Sequence, residues 1–308
     1  MENEKVKVLY IGGTGRSGST LLNKLLGEVD DLFSAGELTQ IWEQGFADNY
    51  LCSCKKTFSS CDVWSEIVQN GLPGMNVEMI NKAVQLKSSL VRIKNYTRRN
   101  TQDYKTNAYT FCNDYIQPLY KSIIEITGKK MIIDSSKMPT YLYLLSQCSD
   151  LELFVIHLVR DSRAVAWSSA KGGYKRMEIT EKEELKRGNS YYKSIKQWVT
   201  TNYMMNSLRS SLPQDHSLLI RYEDLIQAPK ETIKGILDFA GMTDPLNFFV
   251  DERSVLLNRD HMVAGNRMRF TGGQIEIRTD EEWKEGMSFL GRSMVSLLTY
   301  PMMKKYYG

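Results

Sequence analysis

No run of about 18 consecutive apolar residues occurs in the sequence, so it offers no candidate for a transmembrane helix. A secretory signal is also missing, because the opening segment MENEKVK is charged and the apolar run after it is short. Internal repeats, low-complexity linkers and a boundary between two domains are absent as well. These absences predict a cytoplasmic protein with a single domain over residues 1–308.

Cysteine is scarce and odd in number, with five residues in 308, which argues against a full disulfide framework. Three of them, Cys52, Cys54 and Cys61, lie close together in YLCSCKKTFSSC. A zinc site and a local disulfide are two alternatives, but the spacing is not standard for zinc and no fourth cysteine or histidine is near in the sequence. We therefore expect reduced loop thiols and no metal. Cys112 and Cys148 are expected to be core or half-buried residues.

Excess charge of one sign is small, since 40 Lys and Arg against 36 Asp and Glu give a net charge of +4. This mild excess does not predict nucleic-acid binding, although it suits an anionic ligand. The hydrophobic content of 42% and the charged content of 25% are typical of a globular protein.

A strand, a tight loop and a helix are predicted in the segment VKVLYIGGTGRSGSTLL, residues 6–22. The apolar run ends at two glycines, a polar loop follows (the first loop, residues 14–20), and leucines then recur at helical spacing. Such a loop directs backbone N–H groups and the positive end of the helix dipole toward one point, which favours a phosphate. More charge and hydroxyl groups are present than an ordinary turn needs: Arg16, Ser17, Ser19 and Thr20.

Two phosphate-binding patterns compete for the first loop. Gly13, Gly15 and Gly18 match the dinucleotide pattern GxGxxG. In that pattern Glu37 would be the acid that binds ribose. The nucleoside-triphosphate pattern GxxxxGK[ST] fails, because Ser19 stands where its lysine is required. An NAD-type dehydrogenase, a nucleotide kinase and a nucleotide-binding protein without turnover are the alternative functions.

Apolar runs typical of buried strands alternate with helical patterns along the chain. After the first strand they occur at residues 32–34, 130–133, 151–159 and 215–225, so at least four strands alternate with helices. This alternation predicts an α/β fold with a mostly parallel central sheet that is flanked by helices on both faces. A long helix is expected over residues 181–211.

Polar side chains follow three of these strands, where open α/β sheets bind their ligands. Glu37 follows the strand expected at residues 32–34, and Lys137 follows the strand expected at residues 130–133. Arg160 comes directly after the strand expected at residues 151–159. Glu37 could instead be an acid at a helix N-terminus. Arg160 and Ser168 are placed to reach an anion, with an ion pair between Arg160 and Asp161 or a neighbour as the simpler alternative.

Residues 48–127 are irregular and then polar-helical, which is typical of an insertion. Because insertions often carry specificity, we expect this one to shape the pocket for a second substrate. Residues 38–75 and 172–190 are expected to contribute to the same pocket. Near the C-terminus, residues 253–273 break the helical pattern and are rich in arginine and glycine.

Four segments in the right order resemble the sulfotransferases that use 3′-phosphoadenosine 5′-phosphosulfate (PAPS). GTGRSGSTLL is similar to that family's 5′-phosphosulfate loop, in the arginine form of tyrosylprotein and Golgi carbohydrate sulfotransferases. HLVRDSRAVAWSS resembles the 3′-phosphate element, and RYEDLIQAPKETIKGILDFAG the YEDL segment with its helix. HMVAGNRMRF (the late loop, residues 261–270) resembles the last cofactor loop of bacterial members. The resemblance covers most of the chain and implies a P-loop-like three-layer α/β fold.

The resemblance also implies which residues bind PAPS and its product PAP. The first loop would hold the 5′-phosphosulfate through Gly15, Arg16, Ser17, Gly18, Ser19 and Thr20. The late loop would close over the nucleotide through Gly265, Asn266, Arg267 and Arg269. Arg160 and Ser168 would bind the 3′-phosphate, and Tyr222 would lie near it or near the adenine.

Sulfuryl transfer to a hydroxyl is the reaction that the resemblance implies. Glu37, in AGEL, resembles the catalytic glutamate of the arginine-form enzymes and is the expected general base. Arg16 would stabilise the leaving group, and Lys137 matches a second catalytic cation. No metal is required. The expected acceptor is an alcohol on a sugar, lipid, sterol or secondary metabolite. Lesser candidates for the base are Ser135, Ser136 and His261.

Overall fold

The protein is described by a computed structural model that covers residues 5–171 and 188–308. Five parallel strands form its central sheet: β1 (Val6–Gly13), β2 (Leu32–Gly36), β3 (Met131–Lys137), β4 (Leu151–Val159) and β5 (Ser217–Arg221). Their order across the sheet is β2-β3-β1-β4-β5. The predicted parallel α/β sheet is confirmed.

Two further strands, β6 (Ser254–Leu257) and β7 (Gly273–Glu276), form an antiparallel pair apart from the sheet. In the described part of the chain, no helix is both long and apolar enough to span a membrane. The helices are α1 (Ser19–Leu26), α2 (Asp62–Gly71), α3 (Val77–Val91), α4 (Ile93–Tyr96), α5 (Gln102–Phe111), α6 (Gln117–Thr127), α7 (Pro139–Leu145), α8 (Ser162–Ala170), α9 (Tyr191–Arg209), α10 (Tyr222–Gln227), α11 (Pro229–Phe239), α12 (Trp283–Gly286) and α13 (Phe289–Tyr307).

The structure revises three expected elements. The long helix expected over residues 181–211 is α9 where the structure describes it, and its first part, residues 181–187, lies outside the described residues. The run at 215–225 is divided between β5 and α10. Residues 253–273 contain β6, which their lack of helical periodicity did not predict.

From Val8 onward strand β1 is buried on both faces, as its apolar run predicts for a parallel sheet. Val8 and Tyr10 belong to one hydrophobic cluster, whereas Leu9 and Ile11 belong to the other. Because successive side chains of a strand point to opposite faces, one run supplies both layers of the core. The first cluster is completed by α2, α3, α5, α6 and α7, and the second by α1 and α11.

The parallel arrangement brings the carboxyl ends of the strands to one edge of the sheet. Gly12, near the end of β1, lies opposite Lys137 of β3 and His157 of β4. β2 ends beside β3, at Gly36. The segments that follow these strands therefore meet above the first loop.

A disulfide joins Cys112 and Cys148, whose Cα atoms are 5.3 Å apart. Both residues are buried, as expected, but the sequence analysis did not predict that they pair. Nothing in the local pattern identifies partners that are 36 residues apart.

Replacement of both cysteines, Cys112→Ala with Cys148→Ala, should lower the free energy of unfolding by about 3–4 kcal/mol, because a loop of this length is no longer closed in the unfolded chain. Denaturant unfolding of the variant and of reduced wild-type protein should give similar midpoints, both below that of the oxidised protein. An unchanged midpoint in the variant would show that the bond does not stabilise the fold.

Candidate active site

The first loop needs glycine at two positions for reasons of conformation and packing. Gly13 has a φ of 147° and Gly18 a φ of 92°, in the region that favours glycine. A Cβ at Gly13 would lie 2.3 Å from the carbonyl oxygen of Leu158, and one at Gly18 2.3 Å from the ring of Tyr222. These glycines thus serve close packing between strand, loop and α10. Gly15 differs, because a Cβ there would meet no atom within 4 Å among the described residues.

A cavity of about 1030 Å³ opens above the first loop. It is bordered by the loop, by the segments after β2 and β3, and by the late loop. Ser17 is fully buried beneath this surface. The other predicted site residues line the cavity: Gly15, Arg16, Gly18, Ser19, Thr20, Glu37, Lys137, Arg160, Ser168, Tyr222, Gly265, Asn266, Arg267 and Arg269.

Arg16 is oriented by a residue of α8. Its Nε and Nη2 donate hydrogen bonds of 3.0 and 2.9 Å to Ser168 Oγ. Arg16 itself has a φ of 73°, so the loop presents its side chain from a left-handed position. Ser168 Oγ therefore orients the guanidinium of Arg16, and its contact with the 3′-phosphate, which the resemblance implies, stays a prediction.

Arg160 is buried next to the first loop, with 5% of its surface exposed. Its Nη1 donates to the carbonyl oxygen of Arg16 at 3.1 Å, and its guanidinium lies 4.4 Å above the ring of Tyr222. Its ion pair is with Asp280, at 2.8 Å, in a segment that carries no sequence signal. Of the simpler alternatives, the ion pair with Asp161 is not formed, because Asp161 pairs with Arg163, whereas Arg160 does form an ion pair with another residue, Asp280.

Two buried polar atoms near the first loop indicate a ligand. Ser17 Oγ and Arg160 Nε are both buried and have no hydrogen-bond partner among the described residues. Buried donors in folded proteins are nearly always satisfied, so each such atom calls for an explanation. Together with the charges of Arg16 and Arg160, they fit a nucleotide that carries two separate anionic groups.

Glu37 faces the cavity and forms an ion pair with Lys137. The pair joins Glu37 Oε1 to Lys137 Nζ, and each side chain is 17% exposed. Glu37 precedes a 3-10 helix of three residues, and within the described structure its side chain makes no capping hydrogen bond to it. Its placement follows from the end of β2 beside β3, so Glu37 lies both at a helix N-terminus and in the cavity lining.

A buried carboxyl group, Asp134, supports this arrangement from below. It accepts hydrogen bonds from Tyr120 Oη at 2.6 Å and from the backbone N–H of Ser136 at 2.9 Å. Ser136 Oγ in turn accepts from the backbone N–H of Thr39 at 2.9 Å, close to Glu37. Burial raises the pKa of Asp134 to about 6, although its hydrogen bonds act in the opposite direction. Ser136 is therefore held in a structural network.

The late loop contains two arginines with different surroundings. Arg269 is 7% exposed and donates to the carbonyl oxygens of Gly265 at 2.6 Å and Leu51 at 3.3 Å. Desolvation lowers the pKa of its guanidinium. Arg267 is exposed and lines the cavity. Arg269 thus holds the loop to the neighbouring segment, whereas Arg267 faces the ligand space.

The cavity lining in the described structure includes no histidine. His157 is buried and bonds Asn202 Oδ1 through Nε2 at 2.8 Å, and burial lowers its pKa to about 4. His261 lies against the thiols of Cys52 and Cys61. His261 is 200 residues from Cys61, so a search for a nearby histidine along the sequence missed it.

Several lining residues were not predicted as site residues. Lys193 and Gln197 lie one turn apart on α9, and their spacing of four residues was the one available signal. Asp280 had none. Gln44, Tyr50 and Asn189 also line the cavity, and they fall within the ranges 38–75 and 172–190 that were expected to form the acceptor pocket. Arg278 lines it without having been predicted.

Known proteins match both the sequence and the fold. The sulfotransferase family model matches residues 9–245. Carbohydrate sulfotransferase 2 of Mus musculus is 32% identical over a 123-residue alignment that covers 30% of this chain and 23% of that protein. The chain thus spans under a quarter of that curated relative.

Among solved structures, the sulfotransferase domain from the curacin biosynthetic pathway has a TM-score of 0.53 at 17% identity, with 96% of this chain and 97% of that chain covered. The sulfotransferase domain from the Synechococcus PCC 7002 olefin synthase has a TM-score of 0.51 at 18% identity, with 97% of each chain covered. These likenesses confirm the predicted P-loop-like fold. Because the family match spans most of the sequence, the chain belongs to the sulfotransferase family.

Proposed function

We propose that the protein transfers the sulfuryl group of PAPS to a hydroxyl group of a small-molecule, lipid, sterol or saccharide acceptor. The observation that carries this proposal is that one cavity is lined both by two guanidinium groups and by an ion pair. The guanidinium groups are those of Arg16 and Arg160, and the ion pair joins Glu37 to Lys137. The cations suit the two phosphate positions of PAPS, and the carboxylate suits proton removal.

The nucleotide would lie across the first loop. The 5′-phosphosulfate would be bound by the backbone N–H groups at the start of α1 and by Arg16. The 3′-phosphate would bind Arg160 and take the place of Asp280 as its partner, because a dianion competes with an exposed carboxylate. Arg267 would add a third cation from the late loop, held in place by Arg269.

PAPS, when bound, supplies the sulfuryl group and a phosphate leaving group. Glu37 removes the proton of the acceptor hydroxyl as that oxygen bonds to sulfur. The bond between sulfur and the 5′-phosphate oxygen breaks, and this oxygen gains negative charge. Arg16, Lys137 and the loop N–H groups stabilise that charge, so catalysis depends on positioning and electrostatics.

The acceptor would enter beside the expected insertion, residues 48–127. Tyr50 of this segment and Gln44 just before it line the cavity, which supports the proposal that this side selects the acceptor. The contribution expected from residues 172–187 falls outside the described residues. The relative that acts on carbohydrates places saccharides first among the acceptors to test.

Residence in the cytoplasm is a prediction from the sequence alone. The disulfide between Cys112 and Cys148 bears on it, because such bonds persist mainly in oxidising compartments and are rare in the cytosol of most organisms. Alkylation and mass spectrometry of protein isolated from its native cell give the redox state of this pair. A reduced pair would agree with the cytoplasm, and an oxidised pair with an oxidising compartment.

Thermal shift measurements with PAP, NAD and ATP test the nucleotide class. Because a ligand that binds the native state raises Tm, PAP should raise it by several degrees and NAD should leave it unchanged. A shift with NAD alone would favour the dehydrogenase reading, and a shift with ATP alone would favour the kinase reading.

Arg160→Ala should weaken PAP binding by about 10–100-fold, since a hydrogen-bonded charge contributes roughly 1.5–3 kcal/mol. Adenosine 5′-monophosphate, which lacks the 3′-phosphate, should bind wild type and variant equally. Calorimetry measures both affinities. Arg163→Ala is the matched control, because Arg163 stacks on Trp283 and pairs with Asp161. Equal losses for both nucleotides would contradict the role in 3′-phosphate binding.

A further inference from the structure

Three thiols and one imidazole meet near the cavity without belonging to its lining. They are those of Cys52, Cys54, Cys61 and His261, and their donor atoms all lie within 4.8 Å of one another. Cys52 and Cys61 are buried, with 1% and 0% of their surface exposed, and the other two are half-buried. Such a concentration of soft ligands at one point is unusual for a chain with five cysteines.

The distances between the donor atoms match those around a tetrahedral metal ion. Zinc bonds of about 2.3 Å to sulfur and about 2.0 Å to nitrogen separate two sulfurs by about 3.8 Å, and a sulfur from a nitrogen by about 3.5 Å. Cys54 Sγ and Cys61 Sγ are 3.7 Å apart. His261 Nδ1 is 3.8 Å from Cys52 Sγ and 3.2 Å from Cys61 Sγ.

The two segments that carry the ligands are joined by other contacts. Ser53 donates its backbone N–H to the carbonyl oxygen of Met262 at 3.1 Å, and Ser53 Oγ accepts from the N–H of Met262 at 2.8 Å. Trp64 Nε1 donates to the carbonyl oxygen of His261 at 2.6 Å. Ser53 Oγ also donates a hydrogen bond to the carboxylate of Asp260. His261 is therefore held against the cysteine segment by its neighbours on both sides.

We propose that Cys52, Cys54, Cys61 and His261 bind a structural zinc ion. Four protein ligands complete a tetrahedral sphere, which leaves no open position for catalysis and distinguishes this site from catalytic zinc. Sulfur and imidazole in this geometry favour zinc over calcium or magnesium. Binding converts three thiols to thiolates and releases three protons. The three thiols form no disulfide in the structure, as expected, and the proposed ion goes beyond that expectation.

The ion would fasten the expected insertion to the late loop. His261 begins the late loop, whose Gly265 approaches Glu37 and Thr20. The site thus ties the segment beside the acceptor to the segment above the nucleotide. Its existence is independent of the proposed sulfuryl transfer, because the metal is detected without any substrate.

Elemental analysis of protein purified without chelator tests the proposal. We expect one equivalent of zinc per chain, and its removal by a chelator should lower Tm by about 5–10 °C. Cobalt added to the zinc-free, reduced protein should give the thiolate charge-transfer and ligand-field bands of a tetrahedral site. Reduced protein that takes up neither zinc nor cobalt would overturn the proposal, as would an isolated protein whose Cys54 and Cys61 form a disulfide.

Variants assign the ligands. Cys54→Ser and His261→Asn, at the half-buried positions, should fold and lose most of the zinc, with a weakened cobalt charge-transfer band. His216→Asn and the double variant Cys112→Ala with Cys148→Ala are matched controls that should retain the full equivalent. Full zinc content and an unchanged cobalt spectrum in Cys54→Ser and His261→Asn would overturn the assignment, whatever the sulfotransferase activity.

Discussion

Glu37→Gln is expected to reduce kcat by about 10²–10⁴-fold and to leave the affinity for PAP unchanged. The amide has the shape of the carboxylate and still bonds to Lys137, but it accepts no proton from the acceptor hydroxyl. The measurement is turnover of PAPS with an acceptor from the screen, together with calorimetric titration of PAP.

Glu43→Gln is the matched control for this experiment. Glu43 lies on the segment that follows Glu37 and pairs with Lys87, outside the cavity lining, so its replacement should leave turnover near the wild-type value. Near-native turnover of Glu37→Gln would show that another group is the base. Loss of PAP binding in the same variant would show that Glu37 acts on the nucleotide and not on the acceptor.

Arg16→Ala is expected to reduce kcat by about 10²–10³-fold, because it removes the fixed cation at the oxygen that gains charge. Ser168→Ala should have a smaller effect on kcat, about 5–10-fold, since Ser168 Oγ accepts two hydrogen bonds that orient the guanidinium and leaves its charge in place. Both variants are compared by kcat and by KM for PAPS.

The order of these two effects is the diagnostic result. Arg163→Ala, on the same helix as Ser168 but outside the cavity lining, is the control and should retain wild-type turnover. If the fold loss of PAP affinity in Ser168→Ala exceeds the fold loss of kcat in Arg16→Ala, then Ser168 contacts the 3′-phosphate directly, as the family resemblance implies.

The sheet could be predicted because its signals are local. The run from Val6 to Ile11 is apolar at every position but Lys7, and a strand with both faces covered requires that composition. Glu37 and Lys137 could be placed at the site for a related reason. Residues that follow parallel strands meet at one edge, so their order along the chain predicts their proximity.

The glycine pattern of the first loop illustrates a limit of motif reading. Gly13, Gly15 and Gly18 satisfy GxGxxG, but two of them are required by Leu158 and Tyr222, which lie far along the chain. A pattern of glycines reports the need for backbone freedom or close approach and does not by itself name the ligand.

The features that sequence analysis missed all depend on distant contacts. Asp280 pairs with Arg160 across 120 residues, and His261 reaches Cys61 across 200. Neither contact leaves a periodic or local trace. For Cys112 and Cys148, likewise, the sequence predicted burial but not the disulfide. Their pairing depends on how the helices around them pack.

The most direct test is incubation of the enzyme with PAPS and pools of alcohols, followed by mass spectrometry of the products. Sulfuryl transfer predicts a sulfated acceptor and an equal amount of PAP, both formed about 10²–10⁴-fold more slowly with Glu37→Gln. Binding of PAP with no sulfated product from saccharide, lipid, sterol or metabolite pools would contradict the proposal and indicate a nucleotide-binding protein without turnover.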